Sequence, residues 1–175
     1  MRLRTAGVAL LTAAALAATG CGGDDDSKGS STSGSAAAEA FKPLTIPTDL
    51  AKKPAIPKTE GLAPEKLLVK DVVAGKGKAA PAGGKVQVKY VGVAYSSDKE
   101  FDSNWKAGDK LLDAQLAAGP TGVIKGWIQG IPGMKEGGRR LLVVPPDLGY
   151  GAQGSPPAIA PYETLVFVID LKKVG

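Results

Sequence analysis

The sequence predicts an α+β domain that consists mostly of antiparallel β-sheet with little helix. From Leu67 onward, short runs rich in β-branched and aromatic residues are separated by Gly and Pro, a pattern typical of strands joined by turns. Only the stretch from Ile124 to about Gly130 favours a helix, in which Trp127 would point inward. This part of the chain has about 110 residues, which is enough for one hydrophobic core.

The strands are predicted from the spacing of their apolar residues. Val86, Val88 and Tyr90 alternate with polar residues, so a half-buried strand would place the Tyr90 ring on its apolar face. In the last strand, Leu165, Phe167 and Ile169 would lie on one face. The other predicted strands run from Leu67 to Val73 and from Leu141 to Val144, and the last runs from Leu165 to Leu171.

The N-terminus has the features of an export signal. Arg2 and Arg4 precede an apolar run from Ala6 to Ala18, which is short for a transmembrane helix. The segment Leu16–Cys21 resembles the lipobox of bacterial lipoproteins, in which the signal is cut before a cysteine that then receives lipid. We therefore predict a signal peptide over residues 1–20 and a lipid-anchored, extracytoplasmic protein.

An ordinary secretory signal is the alternative, with Cys21 left as a free thiol. Lipidation is favoured because a lone thiol in an oxidising compartment would invite unwanted disulfides, whereas acylation explains a single cysteine without a partner. Residues 21–62 are predicted to be the lipid-attachment cysteine followed by a flexible tether, first Gly/Ser-rich and then Pro-rich. The folded domain is predicted to occupy residues 63–175.

The composition excludes several classes of mechanism. The chain has no histidine and one cysteine, so it cannot form a Ser-His-Asp triad, a Cys-His pair or a His-ligated metal site. The acidic run Asp24–Asp26 lies among Gly and Ser and is interpreted as a solvated spacer rather than a metal site. Loss of residues 1–20 would lower the formal charge from +5 to +3, too little to indicate nucleic acid binding.

Six segments of the domain resemble, in order and spacing, the FKBP-type peptidyl-prolyl cis-trans isomerases, a macrolide-binding family. Each segment alone is a weak signal, but the ordered set covers the whole domain from residue 67 to 174. The segments are Val88–Gly92, Phe101–Ser103, Val123–Trp127, Gly133–Met134, Leu148–Ala152 and Ile159–Phe167. The resemblance implies a twisted antiparallel β-sheet of five or six strands wrapped on one short helix, with the active cleft between the sheet and the helix.

The resemblance also implies the residues of the site. Trp127 would form the floor of an apolar pocket, the Tyr150 hydroxyl and the Ile124 amide would bind substrate backbone, and Asp102 would offer a carboxylate near the twisting amide. Cofactors and metals are not implied. The implied catalytic residues are Tyr90, Phe101, Asp102, Trp127, Tyr150 and Phe167, and the implied substrate-binding residues are Leu112, Val123, Ile124 and Ile159.

The residues themselves leave alternatives open. Periodicity alone predicts that Tyr90, Val123 and Phe167 are core residues, and Asp102 alone is better interpreted as capping a turn with Ser103 and Asn104. Some positions also depart from the family pattern. Leu112 replaces an aromatic residue, Ala107 stands where many members pair an arginine with the aspartate, and Ser155 and Ala158 replace bulkier residues.

The leading functional hypothesis is a membrane-tethered prolyl isomerase that assists the folding of exported proteins. Its expected partners are proline-containing polypeptides, macrolide inhibitors such as rapamycin, and a membrane through lipidated Cys21. A single domain on a tether is expected to be monomeric. The alternatives are a noncatalytic prolyl-peptide binding or holdase module on the same fold, and a plain β-sandwich scaffold.

Overall fold

A computed structural model describes residues 40–105, 110–120 and 122–175. Within these residues, no helix is both long and apolar enough to cross a bilayer. The predicted signal peptide, Cys21 and Ala107 lie outside the described residues. The elements are β1 (Leu68–Val73), β2 (Lys85–Ala94), β3 (Glu100–Ser103), β4 (Leu112–Gln115), α1 (Lys125–Gly130), β5 (Arg139–Val144) and β6 (Leu165–Val174).

The six strands form one antiparallel sheet, which confirms the predicted fold class. The strand order is β1-β5-β6-β2-β3, and β4 also pairs with β2. The predicted strands are present with shifted ends: β5 begins at Arg139 and β6 continues to Val174. The helix is as short as expected, and it begins one residue after Ile124.

One face of the sheet packs against α1 and forms the larger core. Val86 and Val88 of β2 and Leu142 and Val144 of β5 are at most 1 % exposed on this face. The helix can lie close to β5 because its own contact positions are glycines. A Cβ on Gly126 would lie 2.5 Å from the Val144 side chain, which leaves no room for a larger residue.

The opposite face is covered by residues 41–62, which we call the N-terminal strap. Leu44 and Ile46 of the strap are 5 % and 6 % exposed, and they pack with Val143 and Val168 in a second core. Phe41 packs against Tyr95, with ring centroids 6.3 Å apart. The prediction of a flexible tether up to residue 62 is therefore wrong for its Pro-rich part, because apolar residues between the prolines bury against the sheet.

A buried ion pair fixes the N-terminal strap to the edge of this second core. The Arg139 guanidinium, which is fully buried, donates two hydrogen bonds to the Asp170 carboxylate, at 2.6 and 2.8 Å. It also donates to the backbone carbonyl oxygens of Pro47 and Lys52, at 2.7 and 3.1 Å. Together with Asp170, these carbonyls give each of the three guanidinium nitrogens a hydrogen-bond partner, and burial of such a charge is tolerated only when its nitrogens are partnered in this way.

Truncation of Leu44 to alanine tests whether the N-terminal strap belongs to the fold. We expect the free energy of unfolding to fall by about 2 to 3 kcal/mol, since burial of the leucine is lost and a cavity remains. The neighbouring Thr45 is exposed, so Thr45→Ala is the matched control and should change stability little. Urea unfolding of the full chain measures both. Equal stability of Leu44→Ala and the wild type would show that the strap does not contribute to folding.

Candidate active site

A concave cavity of about 500 Å³ opens between α1 and the sheet. Trp127, Phe101 and Tyr150 line this single cavity, which contradicts the alternative of a plain scaffold without a pocket. Nine of the ten residues assigned to the site from the sequence contribute to it; Ile159 does not. The lining residues are Tyr90, Phe101, Asp102, Leu112, Asp113, Gly122, Val123, Ile124, Trp127, Tyr150 and Phe167.

Trp127 is held at the base of the cavity by packing on several sides. The side chain is 4 % exposed, and the Tyr90 and Phe167 rings meet the indole edge to face at centroid distances of 5.2 and 5.4 Å. Such T-shaped contacts are the preferred geometry of aromatic pairs. The buried indole N–H has no hydrogen-bond partner in the described part of the chain. Trp127 therefore forms the base of the cavity with its ring packed on both sides and with an indole donor that no described residue uses.

The aromatic cluster depends on one glycine in β2. The Phe101 and Phe167 rings pack edge to face with centroids 5.6 Å apart. Gly92 pairs with Asp102 on one side and with Phe167 on the other. A Cβ at this position would lie 2.7 Å from Phe101 Cζ and 2.9 Å from Phe167 Cε1. The absence of a side chain at Gly92 thus allows both rings to occupy the same side of the sheet.

Asp102 and Tyr90 form the main polar contact of the cavity. The Tyr90 hydroxyl donates to Asp102 Oδ2 at 2.5 Å. Burial raises the pKa of Tyr90, and the hydrogen bond and the negative charge of Asp102 raise it further. This tyrosine therefore remains a hydrogen-bond donor, and it orients the carboxylate on the wall of the cavity.

The residues alone favoured turn capping by Asp102, but among the described residues no backbone amide donates to its carboxylate. The Trp105 amide donates to Ser103 Oγ instead, at 3.3 Å, and Ser103 and Asn104 also bind the backbone of β2. The Ser103 hydroxyl donates to the Tyr90 carbonyl oxygen at 3.1 Å, and Asn104 Oδ1 accepts from the Tyr90 amide at 2.8 Å. Asn104 Nδ2 also donates to the Val88 carbonyl oxygen at 2.9 Å. Asp102 is thereby left to face the cavity. Among the described residues, no lysine or arginine lies within ion-pair distance of its carboxylate.

Tyr150 stands at the cavity mouth with 42 % of its surface exposed. It follows a 3-10 turn at Pro146–Leu148, and the Gly151 amide closes this turn onto the Pro146 carbonyl oxygen at 2.9 Å. Gly151 has φ of +61°, a conformation that favours glycine. Partial burial, and then the charge of Asp102, raise the pKa of Tyr150. The hydroxyl is therefore kept protonated and partly open to solvent.

Ile159 was assigned to the substrate-binding set, but it does not line the cavity. It is 4 % exposed and belongs to the core that includes Trp127. Reciprocal hydrogen bonds between the backbones of Ser155 and Ile159, at 2.9 and 3.0 Å, turn the loop inward at this point. Ile159 therefore packs in the core and supports the loop that follows Tyr150.

The backbone before α1 supplies an unused donor. Val123 and Ile124 are half-buried and line the cavity, and the Ile124 carbonyl oxygen accepts hydrogen bonds from the Trp127 and Ile128 amides. Within the described residues, the amide of Ile124 itself donates no hydrogen bond. Amides at the start of a helix have no partner inside the helix, so this N–H is available to a ligand.

Two lining residues, Asp113 and Gly122, were missed from the sequence. Asp113 follows Leu112 in β4, and its carboxylate accepts a hydrogen bond from Gln87 Nε2 at 2.8 Å. Gly122 packs so closely that a Cβ would lie 2.0 Å from the Ala117 carbonyl oxygen. The sequence could not predict that Gly122 is the glycine in close contact, because Gly119 in the same loop is an equally plausible candidate.

The raised tyrosine pKa values predict a specific pH dependence. We expect Tyr90 to stay largely protonated at about pH 10, where an ordinary tyrosine is half ionised, and Tyr150 to be less ionised there than an ordinary tyrosine. Because both pKa values are raised on folding, their contribution to stability is complete below about pH 10 and is lost as the pH rises further. Tyrosinate absorbance of the folded chain, compared with Tyr90→Phe and with the urea-unfolded chain, measures this. Ionisation of Tyr90 at pH 10 in the folded protein would contradict the site geometry.

Comparison with known proteins assigns the fold and the cavity to a family. Residues 76–172 match the FKBP-type peptidyl-prolyl cis-trans isomerases. A probable FK506-binding protein of Corynebacterium glutamicum is 46 % identical over 121 residues, which cover 69 % of this chain and 97 % of that protein. An FK506-binding protein of Streptomyces anulatus is 48 % identical over 124 residues, covering 70 % of this chain and 98 % of that protein.

Solved structures give the same result. A peptidyl-prolyl cis-trans isomerase of Pseudomonas syringae aligns with a TM-score of 0.54 and 33 % identity, covering 62 % of this chain and 75 % of that one. AtFKBP13 aligns with a TM-score of 0.56 and 35 % identity, covering 65 % of this chain and 97 % of that one. These matches confirm the resemblance and favour an enzyme over a noncatalytic module. The chain belongs to the family of FKBP-type peptidyl-prolyl cis-trans isomerases.

Proposed function

We propose that this isomerase acts on exported proteins outside the cytoplasm and is held at the cell membrane by lipid on Cys21. The observation that carries the isomerase function is the aromatic cavity floored by Trp127. The location is supported by the basic start, the apolar run and the lipobox-like Leu16–Cys21 segment. A protein placed there would meet newly exported chains whose X-Pro bonds limit the rate of folding.

The chemistry required of the site is modest. Rotation about an X-Pro bond breaks no covalent bond and moves no proton; amide resonance alone must be lost. The barrier is about 18 to 20 kcal/mol, and the uncatalysed step takes tens to hundreds of seconds. A thousandfold acceleration requires about 4 kcal/mol of preferential binding to the twisted amide. A chain without histidine can supply that through binding alone.

The apolar part of the cavity would act on the planar amide. A planar amide is more dipolar than a twisted one, so a dry aromatic surface disfavours the ground state relative to the transition state. In our proposal the proline ring rests on Trp127, between the walls formed by Phe101 and Phe167. These rings are held by mutual edge-to-face contacts, at centroid distances of 5.4 and 5.6 Å, so the shape exists before substrate arrives.

Three polar groups around the apolar surface would orient the substrate. The Tyr150 hydroxyl would donate to a substrate carbonyl oxygen, and the Ile124 N–H would donate to a second one. Asp102, oriented by Tyr90 through the 2.5 Å hydrogen bond, would place negative charge beside the twisting amide. Hydrogen bonds that strengthen as the amide twists increase the rate rather than affinity alone. The relatives are named for binding FK506, and we propose that macrolides of this type occupy the same cavity.

Substitution of Gly92 by alanine tests whether the aromatic walls carry the activity. The added methyl group would displace Phe101 or Phe167, and we expect kcat/KM for X-Pro peptides to fall about tenfold or more, or about 1.4 kcal/mol of barrier. Gly77→Ala is the matched control, since its Cβ would press at 2.7 Å on the Glu136 side chain, away from the cavity. Exchange NMR on folded variants measures the rate. Full activity in Gly92→Ala would contradict the proposed role of the walls.

Removal of Cys21 tests the membrane anchor. In cells expressing the full chain, we expect the wild type in the membrane fraction and Cys21→Ala in the soluble fraction or the medium, with unchanged isomerase activity. Metabolic labelling with a fatty acid should mark the wild type alone. Membrane retention of Cys21→Ala, or absence of label from the wild type, would argue against lipid anchoring and for the ordinary secretory signal.

A further inference from the structure

The N-terminal strap touches the sheet next to the active cavity as well as covering its second core. The turn between β2 and β3 is held by Thr59 of the strap. The Thr59 amide donates to Asp98 Oδ1 at 2.8 Å, and its hydroxyl lies 2.6 Å from the Tyr95 carbonyl oxygen and 2.8 Å from Asp98 Oδ1. One threonine thus connects both ends of the turn.

The turn needs such support because of its backbone conformation. Asp98 has φ of +54°, in the left-handed region that non-glycine residues adopt at a cost. The Tyr95 hydroxyl also donates to the carbonyl oxygens of Glu60 and Gly61, at 3.1 and 3.2 Å. From the other side, Glu163 accepts hydrogen bonds from the Ser96 amide and hydroxyl, at 2.9 and 2.7 Å. The turn is therefore clamped between the strap and the loop before β6.

The strand that follows this turn carries two residues of the cavity. β3 has four residues at the edge of the sheet, and its pairing with β2 is irregular beside Gly92. Its first residue, Glu100, forms an ion pair with Lys53 of the strap at 2.6 Å. Phe101 and Asp102 come next. β3 pairs with β2 at three positions only, so the contacts with the strap add to the few interactions that fix this edge strand.

We propose that the N-terminal strap is a positioning element of the isomerase site, acting through Thr59 on the β2–β3 turn and through Lys53 on β3. The family model matches residues 76–172, and Thr59 and Lys53 both precede that range. The proposed positioning contacts therefore come from a segment outside the matched region. No residue of the strap lines the cavity. The strap sets the position of Phe101 on the cavity wall and of the Asp102 carboxylate that Tyr90 orients.

Thr59→Val removes the hydroxyl with little change in shape, and Thr59→Ser retains it. In the full chain, we expect Thr59→Val to lower kcat/KM for X-Pro peptides about fivefold, mainly through kcat, since transition-state contacts are misplaced. Thr59→Ser should remain within about twofold of the wild type. Thr48 lies in the same segment, is exposed and makes no side-chain hydrogen bond with the described residues, so Thr48→Val is the matched control and should leave kcat/KM unchanged.

A spectroscopic readout separates positioning from stability. The chain has three phenylalanines, so ring signals of phenylalanine labelled with carbon-13 can be assigned by substitution. We expect the Phe101 signal to shift or broaden in Thr59→Val and to return in Thr59→Ser. Should Thr59→Val fail to fold, Lys53→Met breaks the partly exposed ion pair at small cost in stability and should produce the same Phe101 change, with a two- to threefold fall in kcat/KM.

Two results would overturn the proposal. The first is a folded Thr59→Val or Lys53→Met with wild-type kcat/KM and an unchanged Phe101 signal. The second is loss of activity without any change at Phe101, or equal loss in the Thr48→Val control. Neither result bears on the location of the enzyme, because all variants keep Cys21 and are compared with an active wild type.

Discussion

The central strands β5 and β6 are buried on both faces and apolar along Leu141–Val144 and Leu165–Ile169, and the rest of the structure follows from the need to cover both faces. All six residues of β5 and the first seven of β6 are buried. A sheet with two apolar faces is stable only with a layer on each side. Helix α1 covers one face and forms the cavity floor, and the N-terminal strap covers the other. The face of the sheet that carries the cavity is therefore supported by the N-terminal strap on the opposite face.

The layers on both faces of the sheet hold the cavity walls in place. β2 and β6 pair along nine positions, and Gly92 in that ladder creates the space that Phe101 and Phe167 occupy. Trp127 is fixed by the close approach of α1 to β5. The walls therefore do not have to be assembled by substrate, which suits a reaction whose catalysis consists of preferential binding. Solvent reaches the cavity at its mouth, where Tyr150, Asp102 and Asp113 are exposed.

The sequence predicted what depends on local pattern and ordered motifs. The alternation in Val86, Val88 and Tyr90 predicted the buried face of β2, and the stretch after Ile124 predicted the helix that carries Trp127. Periodicity could not distinguish cavity walls from core, because Tyr90 and Phe167 are both: each is buried and also lines the cavity. The family resemblance supplied that distinction, and it failed only for Ile159, which packs under the loop instead.

The strap was missed because its prolines were interpreted as signs of a flexible tether. Proline favours extended backbone, which is compatible with lying across a sheet. The continuous apolar runs Leu141–Val144 and Leu165–Ile169 did indicate a covering layer on both faces. Apolar and polar residues alternate in a strand that is covered on one face, but a strand covered on both faces is apolar throughout. These runs required a second layer, and the apolar residues of the N-terminal segment, Phe41, Leu44, Ile46 and Ile56, were available to form it.

The most direct test of the account is exchange NMR on an X-Pro peptide with a catalytic amount of the full chain carrying Cys21→Ser, with and without rapamycin. The account predicts that the protein accelerates exchange between the cis and trans peptide signals and that a stoichiometric amount of rapamycin abolishes the acceleration. Exchange at the rate seen in buffer, from a folded protein whose tryptophan fluorescence shows that the peptide is bound, would contradict the account.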